Sequence, residues 1–334
     1  MTLEAPKPST RGDGAIEYGF GGRLKGDFPS QIIVDLTEIC NLGCIHCPHP
    51  AFKQSEYYSG KSLRPELNRK LVDEVRDVSA GSTQFIRYTS EGPLIHPQAI
   101  PMMRYAKEHS GVTVTLTTNG TLLDERRIAG LVEAGIDVID ISIDAFHDET
   151  YSQIRLRGDL RVTRANVLAL IRRVAGENSR TKVVVSYVEQ DLNRGETEAF
   201  EKFWKSEGVE YVVIRRLHSA AGAVPSVALK MRSETQAPRR PCVYPWERVV
   251  LNPRGFLSFC PADWTLGSTV VDFATTTVAE TWQGAFYQAL RQAHLQDDYA
   301  RHAFCGQCPD WVATRWPQQG RAYADMIEEF KATE

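Results

Sequence analysis

The sequence predicts an α/β fold: a partial (β/α)6 TIM-like barrel over residues 30–220, then a small C-terminal module made of a β-hairpin plus helices. Three observations predict it. Short apolar or β-branched runs alternate with segments of helical period; six such units follow one another; and the alternation stops near residue 218. Parallel strands joined by right-handed crossovers make a curved sheet, whose active residues belong at the carboxyl ends of the strands.

Residues 1–29 read as an amino-terminal extension. The strands are expected at QIIVDL (31–36), FIRY (85–88), VTVTLT (112–117), VIDISI (138–143), TKVVVSYV (181–188) and YVVI (211–214). Between them, PELNRKLVDEVRDV places Leu67, Leu71, Val75 and Val78 on one helical face, and TEAFEKFWKSEG does the same with Phe200, Phe203 and Trp204. Pro65 and Thr197 mark helix starts; Gly135 and Gly208 mark helix ends. Residues 221–240 read as a linker or extended loop. Within 241–334, WERVVLNPRGFLSFC reads as a hairpin turning at Asn252 to Gly255, and TTVAETWQGAFYQALRQAHL as a helix.

Composition narrows the function classes. The 334 residues carry 39 basic and 42 acidic side chains, net charge −3, so no basic face for nucleic acid or anionic membrane stands out. The first residues lack the apolar core of a signal peptide, and no run approaches the roughly 18 apolar residues of a membrane span. A cytoplasmic protein acting on a small molecule is expected. In that compartment clustered cysteines are metal or redox ligands rather than disulfides.

The stretch CNLGCIHCPHP puts Cys40, Cys44 and Cys47 directly after the first strand. Zinc is one reading, with His46 or His49 completing a tetrahedral set. The other is a 4Fe-4S cube bound through three irons, with the fourth iron open to a substrate or cofactor. The open-iron reading suits a loop at the catalytic end of a barrel. The CxxxCxxC loop after the first strand of such a barrel resembles the radical SAM superfamily, in which the open iron is chelated by S-adenosylmethionine.

That resemblance carries further residues. YTSEGPLIHP stands where the family has a Gly-Gly-Glu-Pro stretch, filled here by Ser90, Glu91, Gly92 and Pro93, with Glu and Gly in altered order. TTNGTLL matches a third-strand ending with Thr118 and Asn119; ISIDA matches the fourth, with Ser142 near the ribose and Asp144 beside it. ETYSQIR puts Arg155 where relatives hold the methionyl carboxylate, a role that the planar guanidinium suits. His46 takes a position near the adenine. The resemblance implies an electron from an external donor such as flavodoxin or ferredoxin, cleavage of the sulfonium, and a 5'-deoxyadenosyl radical that removes a hydrogen atom from carbon.

The four remaining cysteines are Cys242, Cys260 and the CGQC pair Cys305 and Cys308. Alone they are compatible with a zinc ribbon. Beside a radical SAM core they resemble the twitch form of the SPASM module, implying a second, fully ligated 4Fe-4S cluster and two clusters in all. The order of modules resembles 2-deoxy-scyllo-inosamine dehydrogenase-like enzymes. The implied reaction oxidises a secondary alcohol of a sugar, aminocyclitol or nucleotide sugar to a ketone, with the auxiliary cluster accepting an electron. Epimerisation, decarboxylation and peptide maturation are alternatives, and a zinc-binding scaffold is the non-enzymatic one. For the proton acceptor, VVIRRLH offers Arg215, Arg216 and His218; strand alternation admits only one arginine to the interior, and Arg216 is expected there. Tyr244, Trp246, Trp264 and Trp311 serve either to stack on a sugar or to pack the core.

Overall fold

The computed structural model describes residues 26–209, 211–235, 238–314 and 323–332. The extension expected over 1–29 lies outside the described residues up to position 25. All six expected strands form, as β1 (Gln31–Asp35), β2 (Phe85–Thr89), β3 (Thr113–Thr118), β4 (Val138–Ser142), β5 (Lys182–Glu189) and β6 (Tyr211–Arg216). They pair in parallel, each with its sequence neighbour. The C-terminal hairpin, β7 (Arg248–Leu251) and β8 (Phe256–Ser258), with β9 (Thr269–Asp272), continues this sheet rather than forming one of its own. β7 lies parallel to β1, giving the order β6-β5-β4-β3-β2-β1-β7-β8-β9.

Alternation sorts the strand residues between two environments. Ile32, Val34, Ile86, Tyr88, Val114, Leu116, Ile139, Ile141, Val183 and Val185 pack with Leu67, Leu71 and Val75 of the helix Pro65–Val78 and with the helices that follow. The opposite parity carries Phe85, Val138 and Val184 toward the amino ends of the strands, where Ala324, Met326 and Ile327 cover them. The helix Tyr323–Ala332, expected with the C-terminal module, thus packs on the barrel. Above that apolar layer the same parity presents Arg87, Thr115, Asp140, Ser186 and Arg215. The interior turns polar toward the catalytic end.

Three local expectations are corrected. Val78 is 48% exposed, because the helix reaches the surface in its last turn while Leu67, Leu71 and Val75 stay buried. Residues 221–240 are not an extended loop throughout: Pro225–Glu234 is a helix opened by Pro225, in which only Ala228 is buried and Leu229 is 69% exposed. A helix without an apolar stripe leaves no period to read. The expected single helix over 276–295 is two, Val278–Gln283 and Ala285–Gln296, broken at extended Gly284, where a β-carbon would stand 2.8 Å from the Glu280 carbonyl oxygen.

The hairpin turn is pressed onto the barrel. Gly255 has φ +87°, and a β-carbon there would sit 2.5 Å from Leu67 Cδ1. A second tie runs through Glu74, whose buried carboxylate accepts from Val278 N and Ala279 N, both at 2.9 Å, capping the helix Val278–Gln283. Glu74→Ala is expected to lower unfolding free energy by about 2 kcal/mol, as for hydrogen bonds to a charged group. Urea titration checks this, and a change within about 0.5 kcal/mol would show that the tie is immaterial.

Candidate functional site

The loop after β1 is stitched to the turn after the helix Asp148–Ile154. Gly43 N donates to Leu156 O and Ile45 N to Ile154 O, both at 3.0 Å. Arg157, in the left-handed region at φ +71°, turns its guanidinium onto the Leu42 carbonyl. Asn41 is held by Thr121 and Asn119, at 2.8 and 3.0 Å. Thr118 receives Gly120 N at 3.3 Å, so the Thr-Asn-Gly ending braces the cysteine loop.

Cys40, Cys44 and Cys47 are free thiols on this loop. Cys40 reaches the Glu91 carbonyl at 3.5 Å and receives Leu42 N at the same distance. Burial pushes all three thiols up, Cys47 to about 12, so loading a metal centre here must release protons. His46 has its ring nitrogens against Asp144 (3.4 Å) and Gln190 (3.4 Å), and His49 is anchored to the Glu38 carbonyl at 3.0 Å. Among the described residues no three His, Cys, Asp or Glu side chains close around a single ion.

Around the loop the strand ends converge. Asp144, fully buried at φ +65°, takes Arg155 Nη2 at 2.5 Å and Val188 N at 2.7 Å, while its carbonyl receives Asn193 Nδ2 at 2.8 Å. His46 and Arg155 therefore meet on the Asp144 carboxylate, with Arg155 beside Cys44. Ser142 lies 3.2 Å from Ser186 of β5. Ser90, also left-handed at φ +67°, donates to Asp35 at 2.6 Å, and Gly92 opens a helical turn with Pro93. A β-carbon at Gly92 would meet the Ile39 carbonyl oxygen at 3.1 Å, so the SEGP turn needs glycine there to approach the loop.

Arg215, not Arg216, faces inward. Arg215 Nη2 lies 2.5 Å from buried Asp140, which also has Arg87 Nη2 at 3.7 Å, whereas Arg216 is exposed. The expectation for Arg216 fails because β6 begins its inward parity at Tyr211, which puts odd positions inside. His218 is 59% exposed and stands 3.9 Å from Asp310. Four site residues went unread in the sequence: Asp35, Arg87, Asp140 and Arg254. The signal was available for three of them, since each is a charged residue inside an otherwise apolar strand. Arg254 donates to Glu38 at 2.6 Å across the seam between barrel and hairpin.

A cavity of about 40 Å³ opens at this seam, lined by Asp35, Glu38, Glu91, Arg254, Cys260 and Trp264, among others. Burial raises Asp35 to about 7, against the Ser90 hydrogen bond and the Arg87 charge, and burial followed by the Asp35 charge raises Glu91 well above the usual carboxylate range. One Glu91 oxygen has no partner. Since the native Asp35 carboxyl holds its proton to higher pH than the unfolded one, the native state binds more protons between about pH 4 and 7. Its stability is present below that window and is lost as pH rises through it, by at most about 1.4 kcal/mol per unit. Urea midpoints of the cluster-free chain are expected to fall from pH 5 to 8, and the slope to flatten in Asp35→Asn. An equal slope in both would remove Asp35 as its source.

The second cysteine set gathers around Cys260, which lines the cavity. Cys305 lies in the helix Ala303–Gln307, Cys308 caps it with its N–H on Cys305 O at 3.1 Å, and Cys260 follows β8. Burial, then the neighbouring Cys242, Cys308 and Cys305, push the Cys260 thiol up, as four thiols sharing one enclosure must. Arg239 holds the CGQC turn through Cys305 O at 2.5 Å and Gly306 O at 2.9 Å. Of the aromatics, Trp246 is core; Trp264 packs at the seam against Phe52 and His49, with ring centroids 5.5 and 6.3 Å away; Tyr244 lies under Arg248 at 3.9 Å. Trp311 is partly exposed.

Residues 34–203, just over half of the chain, match the Radical SAM superfamily. The chain belongs to the radical SAM superfamily. Residues 242–309 match SPASM, an iron-sulfur cluster-binding domain. A radical SAM domain binds S-adenosylmethionine and a 4Fe-4S cluster, and a SPASM domain binds additional iron-sulfur clusters. The donor sets fit: two separate groups of free thiols, three and four in number, each enclosed in protein. The chain is 34% identical over 125 residues to a GTP 3',8-cyclase of Chlorobaculum tepidum (37% of this chain, 36% of that one). It is 34% identical over 127 residues to an AdoMet-dependent heme synthase of Methanosarcina barkeri (38% and 34%). The chain thus spans about a third of the length of these curated relatives. Among solved structures, BtrN in complex with AdoMet and 2-DOIA has a TM-score of 0.59 at 16% identity, covering 87% of this chain and 96% of that one. Streptococcus suis SuiB bound to precursor peptide SuiA has 0.63 at 10%, covering 98% and 81%. These likenesses show the shared fold. No described helix is long and apolar enough to cross a membrane.

Proposed function

We propose that this radical SAM enzyme oxidises a secondary alcohol of a small polar substrate, a sugar, aminocyclitol or nucleotide sugar, to a ketone. The observation that carries the reading is the nearness of the two thiol sets: Glu91, whose carbonyl touches Cys40, and Cys260, of the second set, line one small space at the seam. Cys40, Cys44 and Cys47 would hold one 4Fe-4S cluster, and Cys242, Cys260, Cys305 and Cys308 a second. His46, Ser90, Glu91, Gly92, Pro93, Thr118, Asn119, Ser142, Asp144 and Arg155 would seat S-adenosylmethionine. When bound, the cofactor pair supplies reductive cleavage of the sulfonium and a carbon-centred radical that takes the carbinol hydrogen.

The chain's own residues account for what remains. A carbinol that has lost a hydrogen atom becomes a ketone by losing one proton and one electron. Asp35 suits the proton, because it faces the cavity and titrates near neutrality. Arg215 suits it poorly, being a guanidinium, a donor only, already ion-paired with Asp140. Cys260, of the second cysteine set, lines the same cavity, and with Cys242, Cys305 and Cys308 it would hold the cluster that takes the electron. An external reductant such as flavodoxin or ferredoxin is needed for the first cluster.

The test uses anaerobically reconstituted enzyme with S-adenosylmethionine, reductant and aminocyclitols or sugars deuterated at the carbinol carbon. Deuterium in 5'-deoxyadenosine together with a ketone supports the reading. Deuterium transfer with an inverted alcohol would replace it by epimerisation, and transfer only from a peptide by maturation.

A further inference from the structure

Four of the buried donor atoms without an acceptor in the C-terminal module lie close together: Trp282 Nε1, Tyr287 Oη, Arg291 Nη2 and His294 Nε2. Folded proteins leave few such groups, so four together call for an acceptor that the polypeptide does not supply. Tyr287, Arg291 and His294 fall at i, i+4 and i+7 of the helix Ala285–Gln296, hence on one face. Trp282, near the end of the preceding helix, packs against Tyr287 with ring centroids 4.9 Å apart and planes inclined at 48°.

That face looks onto the second cysteine set. Trp282 and Tyr287, both fully buried, share one packed cluster with Cys305, and Cys260 packs against it. His294 Nδ1 accepts from Cys242 N at 3.3 Å, which fixes the hydrogen on Nε2 and makes that atom a donor as well. Arg291 donates Nε to the Pro245 carbonyl at 2.9 Å and lies over Trp282 and Tyr287, 4.4 and 5.2 Å from their ring centroids. Among the described residues no carboxylate meets it.

A 4Fe-4S cluster on four thiolates is an anion with several acceptor sulfurs, and it becomes more negative on reduction. Donors and cations at its wall therefore favour the reduced form and raise its potential. We propose that Tyr287 and Trp282 donate hydrogen bonds to the sulfurs of the auxiliary cluster, with Arg291 behind them as a buried counter-charge. This wall tunes the cluster as an electron acceptor. The inference rests on the assignment of Cys242, Cys260, Cys305 and Cys308 to that cluster.

Tyr287→Phe removes the hydroxyl and keeps the ring. In the two-cluster holoenzyme, potentiometric titration followed by electron paramagnetic resonance is expected to show a more negative auxiliary midpoint. The expected size is about a tenfold change in the reduction equilibrium, or about 59 mV for one electron, with the first cluster's midpoint unmoved. Trp282→Phe shifts the same midpoint in the same direction and serves if the first variant fails to retain its cluster. Wild-type midpoints in both variants would overturn the proposal. His294 is not the test residue, because its loss also frees Cys242 N. The readout is independent of turnover: a shifted midpoint without substrate oxidation leaves the tuning intact and removes the alcohol-oxidising reading, whereas an iron count near four fails the two-cluster assignment before any titration.

Discussion

Replacing Cys40, Cys44 and Cys47 together by alanine is expected to lower iron from about eight to about four per chain and to abolish 5'-deoxyadenosine formation. The loop would keep its place, because backbone bonds to Leu156 and Ile154 hold it and the thiols contribute little to those. Alanine at Cys242, Cys260, Cys305 and Cys308 has a different expected signature: about four irons again, deoxyadenosine still formed, and no ketone. Iron analysis and nucleoside chromatography on both variants separate the two thiol sets. Deoxyadenosine from the first variant, or tightly bound zinc in place of iron, would sink the assignment.

Asp144→Ala is expected to cost about 3–5 kcal/mol of stability, since it leaves the Arg155 charge buried without its carboxylate and Val188 N without an acceptor. The cluster-loaded variant should also retain S-adenosylmethionine poorly, as Arg155 and His46 both lose their anchor. Asp144→Asn, which keeps an acceptor for Val188 N, should fall between. Removing Arg155 as well should recover part of the loss, because the unpaired charge goes with it. Denaturant midpoints decide it, and a cost below about 1 kcal/mol for Asp144→Ala would mean that solvent reaches Arg155.

Asp144 also shows how far the sequence could be read. Its place after β4 was legible as part of ISIDA, and so was Arg155 six residues into the next segment. That one carboxylate joins Arg155, His46 and the β5 backbone was not, because the three partners come from separate stretches whose approach depends on sheet curvature. Arg215 and Arg216 make the same point. Alternation said that one faces inward, but parity is counted from the strand's pairing with β5, and only the register Val188↔Arg215 settles it. The helix Pro225–Glu234 escaped notice for a simpler reason: with one buried residue it has no apolar stripe.

The order of strands and helices, the two thiol sets and the strand ends that surround the first can all be read along the chain. Those are local facts: side-chain period, cysteine spacing and turn residues need only near neighbours to act. The tertiary structure alone decided that β7 continues the barrel sheet beside β1, that the last described helix covers the barrel's inner apolar layer, and that Asp35, Glu91, Arg254 and Cys260 share a cavity. Each depends on segments far apart in the chain, such as Gln31 and Arg248 or Phe85 and Ala324, being brought together, by burial of apolar surface that many sequence neighbours could have supplied equally well.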